Sequence, residues 1–202
     1  IMARRIASNN YFVILPNLFY RNGTEGNYPF DQTKINYDKI EIEKMLVNMR
    51  NTSNSMICSD VGFILTYIKS NQLINFNNIG LLGYCMSGQY VISSGAIHAK
   101  YIKAIASFYG VGIYTKQKDS PLNLISKIKA EVYLGFAEKD KYVTEEEIEI
   151  IKDKLSIENI DSSLEIYENT DHGFAFPNRY SYNEDAAEKH WKRLFDLFER
   201  NL

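Results

Sequence analysis

The stretch of this 202-residue chain best suited to chemistry is Gly83-Tyr84-Cys85-Met86-Ser87-Gly88, which follows an apolar run at 79–82 and precedes a segment with helical spacing. A thiol on such a strand-to-helix turn sits in a sharp, exposed backbone conformation. Small residues must flank it closely, and the first amides of the following helix face a developing oxyanion. Gly83 and Gly88 meet the steric demand, Ser87 stands where a further glycine is expected, and the Met86 amide is a natural oxyanion donor. A thiol at its free pKa is only slightly ionised at neutral pH, so an imidazole must take its proton and later protonate the leaving group. A carboxylate on the other ring nitrogen fixes the tautomer and stabilises the imidazolium. Asp140 and His172 follow Cys85 in the order nucleophile, acid, base.

Each residue also has a plainer reading. Cysteine is often a small buried hydrophobe, which suits Cys58, set among Met56, Ile57 and Val61 in a helical segment without a turn signal. Ser87 competes as nucleophile, but Cys85 and Gln89 stand two residues to either side of it where glycines are needed. Its hydroxyl can instead bond a nearby amide at the helix start. Glu138, Asp140 and Asp171 compete for the acid. Asp171 adjoins His172 and would point elsewhere in an extended loop, and Asp140, which as a plain turn-former would also suit a strand exit, is the choice over Glu138 in the same turn. His172, followed by Gly173 in a loop, is a poor core histidine, whereas His98 at a helix end and His190 on a helix face read as structural or solvated.

The surrounding elements must bring these three positions together. After an opening helix at 1–7, residues 11–15 form a continuous apolar run stopped by Pro16, which suits a strand buried on both faces. Residues 21–34 are polar and Gly/Asn-rich, a surface excursion. Spacing predicts helices at 40–49 and at 56–68, the second opened by Ser53-Asn54-Ser55. A strand at 79–82, a helix to about His98, a strand at 102–108, a strand at 131–136, a helix at 144–155 capped by Thr144, a strand at 163–167 and a helix at 181–199 complete the chain. This βαβ alternation predicts a single α/β domain, a mostly parallel sheet in a three-layer α/β/α sandwich. In doubly wound sheets, sites form at the carboxyl ends of strands, where Cys85, Asp140 and His172 all fall. Ile1-Met2-Ala3-Arg4-Arg5-Ile6-Ala7 reads as mid-helix without a cap, so N-terminal strands are expected to be missing from this chain.

Hydrophobic residues make up 45% and the net charge is −2, so the chain supports a large core and has no basic excess for nucleic acid. The acidic run Glu145-Glu146-Glu147 belongs to the solvated face of a helix. Two cysteines build no disulfide framework and no C-x-x-C metal spacing. No run reaches the length of a membrane span and no signal peptide is visible, so the expected location is the cytoplasm, as a monomer or homodimer without a membrane partner.

Four stretches together carry a family resemblance: Ala3-Arg4-Arg5-Ile6-Ala7 leading to Leu15-Pro16-Asn17-Leu18 and Tyr20-Arg21, then Gly83 to Gly88, then Gly135 to Asp140 with Val143, then His172-Gly173-Phe174. The chain resembles the dienelactone hydrolase family of α/β-hydrolases over nearly its whole length. The resemblance implies a Cys85, His172, Asp140 triad that hydrolyses a small-molecule ester or lactone through an acyl-cysteine, with no metal or organic cofactor. Family members also use a glutamate, ahead of the portion seen here, to activate the thiol, and no position in this chain matches it. The second oxyanion donor, from an earlier strand-to-helix loop, is expected in the same missing portion. Dienelactone-cleaving members hold a substrate carboxylate with an arginine soon after the histidine. Here Phe176 stands four residues after His172 and the nearest arginine is Arg179, which points away from dienelactone specificity. Asn17 replaces the family's aspartate, read as structural. Tyr20, Arg21, Tyr84, Tyr109, Phe174 and Phe176 are candidate pocket residues, with plain packing the competing reading for the aromatics. Rival functions are a non-catalytic binding protein or thiol redox sensor, and an acyltransferase or thioesterase using the same triad.

Overall fold

The computed structural model describes residues 1–202 apart from Glu25, Asn36, Gln72, Leu73 and Asn75. Helix α1 (Met2–Ala7) is followed by α2 (Lys39–Arg50) and α3 (Asn54–Ser70). The alternating portion runs β1 (Ile79–Tyr84), α4 (Ser87–Ile97), β2 (Ile102–Phe108), a 3-10 helix at Pro121–Lys127, β3 (Glu131–Lys139), α5 (Glu145–Ile157), β4 (Ser162–Asp171) and α6 (Glu184–Asn201). Local chemistry sets the helix starts. Asp38 accepts from the Ile40 and Glu41 amides at α2, Ser53 accepts from Met56 at α3, and Asn183 accepts from Ala186 at α6. Thr144 and Glu147 close a reciprocal capping box on α5.

The four strands pair in the order β1-β2-β3-β4, every pair parallel. Alternate residues along them feed two separate cores. Ile105, Val132, Leu134 and Phe136 meet Leu65 of α3, Val91 and Ile92 of α4, and Ile148 and Ile151 of α5. Ala104, Ala106, Phe108, Tyr133 and Tyr167 meet Ile6 of α1 and Trp191, Leu194 and Phe198 of α6. Helices therefore cover both faces, as βαβ crossovers require. The small alanines of β2 let the heavily aromatic α6 side approach the sheet.

The run at 11–15 corrects its expectation. It is not a strand: no described residue offers it a hydrogen-bonded neighbour, and an apolar run alone cannot satisfy a strand's backbone groups. It instead lays Tyr11 and Val13 on the α6 core, with the Tyr11 ring 5.5 Å from Phe198, and leaves Phe12 at 60% and Leu15 at 81% exposure. Helix α6 begins at Glu184 rather than 181 because Asn183 supplies the cap. The excursion at 21–34 is irregular apart from one bridge, Thr24 to Asn27, with Glu25 outside the described residues.

Candidate active site

Cys85 occupies the β1–α4 turn with φ of +52°, left-handed backbone that costs an ordinary side chain on the order of 1–2 kcal/mol. The turn is held from both sides: the Cys85 amide donates to Phe108 O at 3.2 Å, and its carbonyl accepts from Gly88 N and Val111 N, each at 3.0 Å. The flanking glycines are required by space. A Cβ on Gly83 would stand 2.5 Å from Ser87 O, and one on Gly88 would stand 2.4 Å from Gly110 Cα. Ser87 is consumed by the turn, its Oγ accepting from Tyr84 N and donating to Tyr84 O, both at 2.7 Å. Met86 is the N-cap residue of α4, where the first helix amides have no intrahelical acceptor.

Pairing of β3 with β4 runs on to Lys139 opposite Asp171, so the residues that follow each strand, Asp140 and His172, emerge side by side. His172 Nδ1 lies 2.7 Å from Asp140 Oδ2, and the carboxylate is fully buried. Asp140 Oδ1 accepts from the Tyr142 amide at 2.9 Å, which fixes the carboxylate's orientation. The imidazole stands edge-on between two rings, Tyr142 at 4.7 Å and Tyr109 at 5.1 Å between centroids. Its Nε2 is buried without a completed hydrogen bond. Burial works against the charged ring, but the Asp140 carboxylate and the Cys85 sulfur outweigh it and raise the His172 pKa to about 9.

The competing groups are engaged elsewhere. Glu138 accepts from the Asn169 amide at 2.6 Å, and Asp171 is exposed. His98 Nε2 meets Cys58 O at 2.8 Å, and buried Cys58 has its thiol pKa pushed up by that burial. His190, read from sequence as structural or solvated, is structural: it is fully buried, with Nδ1 on Ala187 O and Nε2 2.9 Å from the Tyr84 hydroxyl. Among the described residues, no group of three or more His, Cys, Asp or Glu side chains comes together as a metal site.

The candidate pocket residues divide. Tyr20 and Arg21 both bond Asp60 on α3, Arg21 through two contacts of 2.7 Å, so neither is free to hold a substrate. Phe174 has no exposed surface and stacks on Tyr167, a core position rather than a pocket wall. Tyr84 faces the α6 core, where its hydroxyl meets His190 and its ring packs on Phe108. Tyr109, 1% exposed, packs its ring against His172, and half-buried Phe176 rests on Tyr84 at 5.2 Å. Sequence reasoning passed over Tyr142, whose only signal was an aromatic two residues after the acid. It is 58% exposed and borders His172.

A four-stranded parallel sheet with helices on both faces, a strained cysteine turn after one strand and a coupled Asp–His pair after two later ones define an α/β-hydrolase. A sequence model of the dienelactone hydrolase family matches residues 1–202, and the chain belongs to that family. It is 28% identical over 207 residues to a "Putative carboxymethylenebutenolidase" of Synechocystis, covering 100% of this chain and 79% of that one. A Yersinia pestis protein of the same description is 23% identical, with 99% and 72% covered. Among solved structures, a "Putative Dienelactone Hydrolase" from Klebsiella pneumoniae superposes with a TM-score of 0.79 at 22% identity, covering 98% of this chain and 79% of that one. The protein is thus a dienelactone hydrolase-like enzyme. No helix among its described residues is long and apolar enough to cross a membrane.

Proposed function

We propose that the protein cleaves a small carboxylic ester or lactone through an acyl-cysteine on Cys85, with His172 as base and acid and Asp140 as its orienting carboxylate. One observation carries the reading: His172 holds Asp140 through Nδ1 while its buried Nε2 is left without a hydrogen bond, on a ring whose charge the Cys85 sulfur also favours. In the first half-reaction Nε2 already holds the thiol's proton, as a His172 pKa of about 9 implies at neutral pH, and Sγ bonds the carbonyl carbon. The Met86 amide then steadies the oxyanion. As the C–O bond breaks, its electron pair leaves with the oxygen, which takes the proton from Nε2. Water then attacks the thioester, gives a proton to Nε2, and the C–S bond breaks to release the acid and restore the thiol. Every step balances with these residues, substrate and water. Phe176 and Tyr142 are the proposed walls of an apolar pocket.

Mass spectrometry after a quench during turnover of p-nitrophenyl acetate tests this, the expected product being an acetyl group on Cys85. Cys85→Ala should abolish adduct and turnover, and Cys85→Ser should retain at most a small residue. Wild-type esterase activity in both variants would refute the triad. Reaction of Cys85 with peroxide but never with an activated ester would favour a redox sensor instead. A panel of esters, lactones and thioesters ranks the substrate classes, which share the acyl-enzyme.

A further inference from the structure

Tyr109 is a second buried group near the thiol, and although the Ala175 amide faces its oxygen, its O–H donates to no protein group. Its placement is tightly determined. It follows β2 at φ of +40°, its amide donates to Gly135 O at 2.6 Å, and the neighbouring Phe108 O and Val111 N both bond Cys85. The ring stands against His172 and Phe174, each at 5.1 Å, and is 1% exposed. A serine hydroxyl can turn toward whatever acceptor is near, but a phenol held in a packed core keeps its oxygen in one place. Burying such a hydroxyl unpaired is costly, and that cost is recovered when a ligand atom completes the bond.

The side on which this hydroxyl lies indicates which ligand atom. Met86 opens α4, whose side chains enter the core on one face of the sheet, whereas Tyr109 belongs to the core on the α6 face, together with part of Cys85 and Phe174. The Met86 amide serves the carbonyl oxygen. Tyr109 shares the His172 side, from which the departing oxygen receives its proton. Burial, then the charges of Tyr84 and Cys85, holds the phenol's pKa far above the ordinary tyrosine value, against the pull of Arg179 and the Ala175 amide, so it is a donor throughout the working pH range.

We propose that the Tyr109 hydroxyl donates a hydrogen bond to the leaving oxygen of the substrate, beside the proton that His172 Nε2 delivers. The inference rests on the acyl-cysteine reading above. Tyr109 keeps its own proton: the C–O electron pair goes to the leaving oxygen, His172 supplies the transferred proton, and the phenol lowers the charge on that oxygen while the bond breaks. Help of this kind matters most when the leaving alkoxide is basic, and little when it is a stable phenolate.

The test is Tyr109→Phe assayed for kcat/KM on acetate esters running from p-nitrophenol to ethanol as leaving group. Turnover of p-nitrophenyl acetate should stay within about twofold of wild type, while ethyl acetate should lose about 10- to 100-fold, the range of a hydrogen bond to a charged group. An equal loss across the series would reduce Tyr109 to a packing residue, and no loss at all would remove it from the reaction, so either overturns the proposal. The Ala175 amide is the one protein group that faces the phenol oxygen, so Tm should fall by no more than the loss of that single contact, and a larger fall would mean the O–H also donates inside the fold, against the proposal. Acetyl-Cys85 separates the two readings. If wild-type protein forms none, the acyl-cysteine reading fails, whereas normal adduct with no dependence on the leaving group sinks this inference alone.

Discussion

Asp140→Asn probes the electrostatics of the site most directly, because it keeps the shape of the side chain and removes its charge. His172 rises from 6.5 to about 9 in the folded protein despite burial, with the Asp140 hydrogen bond the leading favourable cause and Cys85 next. A rise of that size corresponds to roughly 3 kcal/mol of preference for the imidazolium in the folded state. The sign follows from linkage: the folded protein holds this proton more tightly than the unfolded chain. The stabilisation is therefore complete below pH 6.5 and is lost as pH rises to about 9. Urea unfolding across that window should show wild-type stability falling by up to roughly 3 kcal/mol. The Asp140→Asn curve should be much flatter, and the Cys85→Ala curve should be flattened less. In activity, the amide can donate to Nδ1 and place the ring proton on Nε2, the wrong tautomer to accept from a thiol, so turnover should fall by about 10²- to 10⁴-fold. Iodoacetamide labelling of Cys85 reports the same coupling, its pH profile shifting in the variant. Parallel stability curves together with an unmoved labelling profile would refute the view that Asp140 sets the charge of His172.

His190 should give the opposite pH dependence. Burial holds it at about 4, so the folded state excludes a proton that the unfolded chain accepts, and stability present above pH 6.5 should drain away on acidification toward pH 4 by up to roughly 3 kcal/mol; His190→Leu should lack that acid limb in urea titrations. Gly88→Ala places a Cβ 2.4 Å from Gly110 Cα and 2.7 Å from Ser107 Oγ, which forces α4 away from the end of β2. It should cost at least about 2 kcal/mol by urea midpoint and misplace the Met86 amide, with p-nitrophenyl acetate turnover falling even in the fraction that remains folded.

How far sequence reaches depends on whether a residue's role is set locally or by its neighbours in space. The cysteine turn was legible because its demands are local: a left-handed residue between positions where no Cβ fits announces itself through glycine. Strand β2 was legible to its ends, Ile102–Phe108, because it is buried on both faces. Strands β3 and β4 run past their apolar runs to Lys139 and Asp171, since pairing continues through polar residues that hydrophobic patterning cannot register. Residues 11–15 failed in the other direction, an apolar run without a hydrogen-bonding neighbour. His190 was partly recoverable, for it falls in step with Ala187, Trp191, Leu194 and Phe198 on one face of α6, and only its partner Tyr84 was out of reach.

Tyr109 marks the limit of such reading. Sequence places it at a strand end near the nucleophile, where an aromatic is as well explained by packing as by function, and nothing in its neighbours decides between them. The decision comes from an absence of balance in the core. A rigid hydroxyl that donates to no protein group sits in the same aromatic cluster where Tyr84 bonds His190, and where Tyr133 bonds Glu165 and Tyr167. A fold that gives the neighbouring phenols acceptors and leaves this O–H without one, against His172, is what the proposed hydrogen bond to a substrate atom requires. In the proposed mechanism the triad makes the bond, and Tyr109 bears on which esters leave easily.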